Sequence, residues 1–229
     1  MAYEWLAFSL ILLAIWLAIF LAMPAARKRI LLVSLLTAPF GLTEPLFVPE
    51  YWSPPSLFDL ARTTGFDIES IIFSFAFGGI GVVLYGLIFQ KREIKISKEE
   101  MHKPRHRFHK LAIASPVIVF LFLYYTININ PIYTSAIAML TGGIATILCR
   151  PDLKKNVVVG GILFAGFYFL FFELINIIFP YFINSWNFEV ISGIKVLGMP
   201  LEEVMFGFTF GMMWSSVYEH ISWHKIVKA

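Results

Sequence analysis

The sequence predicts an all-α polytopic membrane protein with seven transmembrane helices. Three observations support this fold class: the composition, a block of sequence that occurs twice, and an alternation of basic and non-basic loops. Hydrophobic residues make up 59% of the 229-residue chain and charged residues 14%, whereas a soluble domain carries roughly 25% charged residues. The mean hydropathy of +0.77 agrees with this comparison. We therefore expect most of the chain to lie in a lipid bilayer.

Seven apolar segments are predicted to span the membrane, which takes about 20 apolar residues for a helix. Backbone polar groups in hydrocarbon must be satisfied within their own segment, so each span is predicted to be helical. The first segment has no basic residue before it, and we expect a span there rather than a cleavable signal. In chain order the predicted spans are about 5–23, 31–48, 68–90, 111–127, 132–149, 157–180 and 200–222.

Residues 65–86 and 198–219 are two copies of one pattern, in which every matched pair is 133 positions apart. Internal repetition of this kind decides the architecture. A three-span unit ends on the side of the membrane opposite to the one where it began. A second copy in the same orientation must begin on the original side, so one additional linker helix is needed. We predict a first three-helix repeat at 1–92, a basic cytoplasmic loop and linker helix at 93–130, and a second three-helix repeat at 131–229. The matched positions are Gly65/Gly198, Glu69/Glu202, Phe73/Phe206, Phe75/Phe208, Phe77/Phe210, Gly78/Gly211 and Tyr85/Tyr218.

Basic residues are confined almost entirely to one side of the predicted membrane. All Lys and Arg residues except Arg62 and Lys195 follow the first, third, fifth or seventh span. Because cytoplasmic loops carry the excess of positive charge, the N-terminus is predicted outside and the C-terminus in the cytoplasm. The 91–110 loop also carries three histidines, and a nucleic-acid or metal patch is an alternative there. Contact with anionic headgroups is the favoured interpretation, so we expect no nucleic-acid partner.

The chain contains one cysteine, Cys149. A single cysteine excludes an internal disulfide and the zinc motifs that need several cysteines. The sequence therefore predicts no metal site.

Five glutamates are predicted to gather at the outer level of the membrane. Two lie near the outer ends of spans 2 and 6, and three lie in the first turns of spans 3 and 7. An acidic group within a span costs a few kcal/mol and often marks a functional interior. Helix capping explains an acid in a first turn, but it does not explain one near a helix C-terminus. The predicted catalytic residues are Glu44, Glu69, Glu173, Glu202 and Glu203.

Phenylalanines follow two of these acids at helical spacing. In each copy a Phe follows the acid by four positions and a second Phe follows it by eight positions. At this spacing the three side chains lie on one face of a helix, with both Phe rings beneath the acid. Aromatic faces stabilise cations by about 0.5–2 kcal/mol each, which suits a reaction that passes through a carbocation. Ordinary helix packing is the alternative. Asn176 lies three residues after Glu173 and shares its helix face. The predicted substrate-binding residues are Phe73, Phe77, Phe206, Phe210 and Asn176.

The sequence Pro200-Leu201-Glu202-Glu203 opens the last span and is followed by Phe206. With this motif in a duplicated seven-span frame, the chain resembles the integral-membrane lycopene cyclase domain family over nearly its whole length. The surroundings of Glu173 and Pro180 also resemble that family. The first half departs from the pattern, because Asp67-Ile68-Glu69-Ser70 has Asp in place of Pro and Ser in place of the second acid.

The resemblance implies acid-catalysed ring closure at an end of a linear carotenoid. It implies a redox-neutral isomerisation with no metal and no cofactor, in which Glu202 and Glu203 form the acid/base pair and Glu69 is the first-half counterpart. The implied partners are a hydrophobic polyene substrate, the lipid bilayer and other membrane enzymes of carotenoid biosynthesis. The implied location is the cell membrane, crossed several times.

Two alternatives stay open at this point. One is a non-catalytic membrane protein that binds carotenoid or lipid, which the altered first motif favours. The other is an enzyme that acts on a different polyisoprenoid. The type of ring, the number of ends that are cyclised and the activity of the first-half site are not decided by the sequence.

The predicted topology can be tested by cysteine accessibility in a Cys149→Ala background. We expect a cysteine at Ser56, in the 49–66 loop, to react from outside intact cells, and a cysteine at Ser97 to react only after the membrane is opened. Labelling at Ser97 from outside would overturn the assignment.

Overall fold

The computed structural model describes residues 3–228, and most of them are helical. This confirms the all-α class. The apolar segments form helices because a helix satisfies its own backbone polar groups. The α-helices are α1 (Glu4–Ala22), α2 (Arg27–Thr37), α3 (Leu60–Thr64), α4 (Ile68–Phe89), α5 (Lys98–Met101), α6 (His109–Thr126), α7 (Pro131–Cys149), α8 (Lys154–Ile178), α9 (Leu201–Trp214) and α10 (Val217–Ser222).

Four short strands form two small antiparallel sheets. Strand β1 (Lys91–Lys95) pairs with β4 (His224–Lys228), and β2 (Lys195–Val196) pairs with β3 (Met199–Pro200). The first pairing joins the segment that follows α4 to the segment that follows α10.

Within residues 3–228, six helical segments are long and apolar enough to cross a membrane, by length and composition. They correspond to the first six predicted spans, and they support association with a membrane. Their bounds are Glu4–Ala22, Pro24–Leu46, Ile68–Phe89, Pro104–Thr126, Pro131–Cys149 and Pro151–Ile178.

The seventh predicted span is divided between α9 and α10, so the count of seven is not confirmed. The division falls at Ser215 and Ser216. The Ser215 carbonyl accepts a hydrogen bond from the Asn156 side-chain amide at 2.5 Å, and the Ser215 hydroxyl donates to the Asn156 carbonyl at 3.1 Å. A side chain from α8 thus bonds a carbonyl oxygen at the point where the two helices divide.

The second span also departs from a regular α-helix. It changes after Thr37 into a 3-10 helix, Ala38–Leu46, which contains Pro45. A proline lacks the backbone N–H that an α-helix needs at that position. Gly41 lies so close to α4 that a Cβ atom there would be 2.5 Å from the Ile71 backbone nitrogen. The 3-10 segment carries Glu44 and holds it next to α4.

The chain forms two compact units. The first unit comprises Met1–Ile80, Asn130–Ile132 and Tyr168–Val204, and the second comprises Gly81–Ile129, Tyr133–Phe167 and Met205–Ala229. Aromatic rings dominate the interior of the first unit, where Trp5 and Phe8 pack on Phe73 and Phe182. In the second unit a buried aliphatic cluster is built on Leu153, Val157 and Met212.

The loop after the second span affects where a label should be placed. Ser56 is buried, because it is only 3% exposed and accepts a hydrogen bond from the Ala61 backbone N–H. Thr63, in the same loop, is exposed. The topology test is therefore better made with a cysteine at Thr63.

We expect Gly41→Ala to destabilise the protein by about 1–3 kcal/mol, because the added methyl group has to displace the α4 backbone. The measurement is thermal unfolding of the detergent-solubilised protein. Gly166→Ala is the matched control, since a Cβ at Gly166 meets nothing within 4 Å. Equal melting temperatures for the two variants would contradict the close approach at Gly41.

Candidate active site

The Glu203 carboxylate, in the first turn of α9, is buried and held by three hydrogen-bond donors. The Tyr51 hydroxyl donates to Oε1 at 2.5 Å, and the Trp186 indole N–H donates to the same oxygen at 2.9 Å. The Tyr168 hydroxyl donates to Oε2 at 2.7 Å. Glu203 is only 6% exposed. Both carboxylate oxygens therefore have partners without any contribution from water.

The Tyr51 hydroxyl stays protonated and can always donate its hydrogen bond to Glu203. Burial and the neighbouring Glu203 carboxylate raise the pKa of Tyr51 well above its ordinary value. The phenol consequently keeps its proton at physiological pH. The Trp186 indole nitrogen also lies 3.2 Å from the Tyr51 oxygen, which fixes the orientation of the hydroxyl.

Glu44 belongs to the same site. It is 8% exposed, and its carboxyl group has Ser70 and Trp52 as hydrogen-bonding neighbours and feels the charges of Asp67 and Glu203. Its Oε1 atom is buried without a hydrogen-bond partner among the residues that the structure describes. Glu44 therefore lies near other carboxylates, and one of its oxygens is available to hydrogen-bond a bound molecule.

Asp67 caps helix α4. Its Oδ1 atom accepts hydrogen bonds from the Ser70 backbone N–H at 2.6 Å and from the Trp5 indole N–H at 3.1 Å. Its Oδ2 atom accepts from the Ser70 hydroxyl at 3.0 Å. Capping of this kind satisfies N–H groups that have no partner within the helix. The Asp that departs from the family motif thus has a structural use.

Glu69 and Glu202, the acid that occurs in both copies of the repeated block, make matching contacts. Glu69 Oε1 accepts from the Leu57 backbone N–H at 2.6 Å. Glu202 Oε1 accepts from the Ser192 backbone N–H at 2.9 Å. Both side chains are buried, at 0% and 1% exposure. Each of these acids therefore ties the loop that precedes its helix to the first turn of that helix.

Glu173 and Asn176 lie together at the turn that leads into α9. A Cβ atom at Gly198 would be 3.4 Å from Glu173 Oε1 and 3.5 Å from Asn176 Nδ2. The backbone N–H of Met199 is a hydrogen-bond donor to Glu173. Gly198 has a φ of +123°, which favours glycine. These two predicted site residues therefore contact the turn between β2 and β3.

The predicted aromatic stripe below Glu69 is present in the first unit. The Phe73 and Phe77 rings stack with centroids 4.6 Å apart, and Phe77 meets the Tyr168 ring edge-on at 5.0 Å. Trp5 lies 5.3 Å from Phe73. These rings form a wall that ends at Tyr168, a donor to Glu203.

The second predicted stripe lies in the second unit. Phe206 and Phe210 stack at 6.1 Å, and Phe210 stacks on Trp214 at 4.4 Å. Phe164 packs on Phe210 at 4.9 Å. These contacts are those of helices α8 and α9 packing within that unit.

Comparison with known proteins found one family model that matches part of the chain. Residues 130–221 match the family model described as lycopene cyclase. The match covers 92 of the 229 residues and supports a lycopene cyclase domain in this part of the chain. The comparisons with curated proteins and with solved structures gave no match. The family match supports a carotenoid cyclase role and an enzyme of the cyclase type, and the apolar helices support a place in a membrane.

Sequence reasoning missed most of the side chains that surround the acids of this candidate site. Trp52 and Trp186 lie in the two long loops that precede the third and seventh predicted spans. Both are buried, their rings are 5.3 Å apart and their backbones form a bridge. Tyr51 and Tyr168 were not singled out. The available signal was a tyrosine inside an apolar span, since a buried tyrosine hydroxyl usually has a partner.

We expect Tyr168→Phe to lower the stability of the protein by about 1–3 kcal/mol, because Glu203 Oε2 loses its donor while the ring is kept. Thermal unfolding in detergent measures the loss. Tyr181→Phe is the control, since Tyr181 is 73% exposed. A Tyr168→Phe variant as stable as the Tyr181→Phe variant would show that the hydrogen bond contributes nothing.

Proposed function

We propose that this protein closes a ring at an end of a linear carotenoid of the lycopene type, by acid catalysis and without net oxidation or reduction. One observation carries the proposal. Two buried carboxyl groups, Glu44 and Glu203, share an aromatic site in a chain that contains a lycopene cyclase domain. A buried acid and base are the groups that such an isomerisation requires.

The reaction has three steps. A carboxylic acid protonates the terminal alkene, which creates a tertiary carbocation. The electrons of a double bond further along the chain attack this cation, and the new carbon–carbon bond closes the ring and moves the positive charge. A base then removes a proton from a carbon next to the charge, and the ring alkene forms. One proton enters and one leaves, so substrate and product are isomers.

We assign the acid to Glu44 and the base to Glu203. Glu203 has hydrogen-bond donors on both oxygens, which suits an ionised carboxylate that stabilises positive charge and accepts a proton. Glu44 has a buried oxygen with no protein partner among the described residues, which suits the group that delivers a proton to a substrate. Two carboxyl groups in different surroundings divide acid and base work in this way in other enzymes.

The surrounding rings suit the cationic intermediate. Phe73 and Phe77 stack beside Tyr168, and each aromatic face that meets the cation stabilises it by about 0.5–2 kcal/mol. Rings also exclude the water that would capture a carbocation as an alcohol. A wall of this chemistry accepts a hydrophobic polyene, which reaches the site from the bilayer.

The proposed site contains residues from both halves of the chain. Glu44 comes from the first half and Glu203 from the second, and Asp67 and Ser70 stand where the second half has Pro200 and Glu203. Glu69 and Glu202 are assigned to holding the loops over the site, and Glu173 to the turn before α9. Other membrane enzymes of carotenoid biosynthesis are proposed as the source of the substrate.

The test is expression in a lycopene-accumulating host, followed by chromatography of the pigments. We expect ring formation with the wild-type protein and a loss of about 100-fold or more in Glu44→Gln and in Glu203→Gln, because each amide removes a proton-transfer group. Glu189→Gln, at an exposed loop position, is the control and is expected to keep the activity.

Three other outcomes are informative. Unchanged lycopene, with the wild-type protein verified in the membrane, contradicts the cyclase assignment. A purified protein that carries a polyene or lipid while both variants leave the pigments unaltered indicates a binding protein. Loss of activity in Glu202→Gln but not in Glu44→Gln would support the Glu202/Glu203 pair that the family resemblance implies.

A further inference from the structure

The only cysteine of the chain and two of its five histidines meet in the second unit. His106 lies in a 3-10 turn before α6, His109 is the first residue of α6, and Cys149 is the last residue of α7. The Cys149 sulfur is 3.4 Å from His109 Nδ1 and 3.6 Å from His106 Nδ1. One ligand atom from each residue lies within 4.8 Å of the other two.

These distances fit the ligand spacing around a bound metal ion. Zinc binds cysteine sulfur at about 2.3 Å and histidine nitrogen at about 2.0–2.1 Å in a tetrahedron, so a sulfur–nitrogen edge is about 3.5 Å. Both sulfur–nitrogen distances at Cys149 agree with such an edge. Thiolate and imidazole are also the ligands that select zinc and similar transition metals.

A third histidine, His220, lies beside this cluster. The His220 ring lies 4.7 Å from the His109 ring and is only 4% exposed. Its Nδ1 atom is hydrogen-bonded to the Thr146 hydroxyl at 3.0 Å. Its Nε2 atom is buried without a hydrogen-bond partner among the described residues. A buried ring nitrogen without a partner, next to three potential ligand atoms, points to an ion bound there.

We propose that Cys149, His106 and His109 bind a divalent transition-metal ion of the zinc type. The ion would join the start of α6 to the end of α7. Stacking of His109 on Trp223, with ring centroids 4.0 Å apart, holds that ring in place. The site lies outside the proposed carboxylate site and does not depend on the proposed function.

Two arginines lie close to the site. Arg150 forms an ion pair with Asp152 at 2.6 Å, which balances its charge. The Arg105 Nε atom is 3.2 Å from His106 Nε2. When His106 Nδ1 binds a metal, Nε2 carries the proton, so this contact must open. Arg105 is partly exposed and can turn outward, and we expect Arg105→Gln to bind the metal more tightly than the wild type.

The experiment uses the full chain, purified in detergent and stripped of metal. Cobalt(II) addition is expected to give a thiolate-to-cobalt charge-transfer band, which only Cys149 can supply. Zinc is expected to bind once per chain, to abolish that band, and to slow alkylation of the Cys149 thiol. His109→Ala should weaken zinc binding about 10-fold or more. His102→Ala, at an exposed position outside the cluster, is the matched control and should bind as the wild type does.

Two results would overturn the site. One is cobalt binding without the charge-transfer band. The other is equal zinc protection of Cys149 in the wild type and in the His109→Ala variant, which would mean that the ion binds elsewhere. Because the alkylation assay keeps Cys149, it remains decisive even where a Cys149→Ser variant fails to fold.

Discussion

A carboxylate buried in apolar surroundings must find donors within the protein, and the Glu203 site shows how strongly this requirement constrains the chain. Burying an ion costs several kcal/mol, and a hydrogen bond to a charged group returns about 1.5–3 kcal/mol. Three donors can offset that cost. They come from the loop after the second span, from α8 and from the segment after α8. Satisfying Glu203 therefore fixes three segments of the first unit at once.

The two copies of the repeated block use their polar residues differently. Glu69 and Glu202 keep the same contact, each with a backbone N–H of the preceding loop. One position further on, Ser70 donates to Asp67 and completes a helix cap, whereas Glu203 receives three hydrogen bonds. The residue that occurs twice thus makes a loop contact, while the residue that differs between the copies is the one surrounded by donors. Repetition alone did not identify it.

Hydropathy in the sequence predicted where the long helices lie. It did not predict features that depend on contacts between helices. Six spans follow from apolar length. The division between α9 and α10 does not, because it arises where the Asn156 side chain bonds the Ser215 carbonyl. The acids stood out as costly residues in apolar segments. Their tyrosine and tryptophan partners did not, because the same residues serve as ordinary interface anchors. Hydropathy predicted that Glu44 and Glu203 lie at one membrane level, but it sets no rotation of one helix against another, so the hydrogen-bond partners of each acid could not be predicted.

The proposed single site, assembled from both halves of the chain, has a consequence for a substrate with two equivalent ends. Two independent sites, one in each repeat, would allow both ends of a polyene to react without release. In the first unit Glu44 lies close enough to Glu203 for their charges to interact, and Ser70 occupies the position of the second acid in the first copy. Under the proposed function, one end reacts, the polyene leaves, and the other end enters in a separate event. The amount of product with one ring then depends on the rate at which the polyene leaves relative to the rate at which its other end enters. It does not depend on any difference between the two repeats.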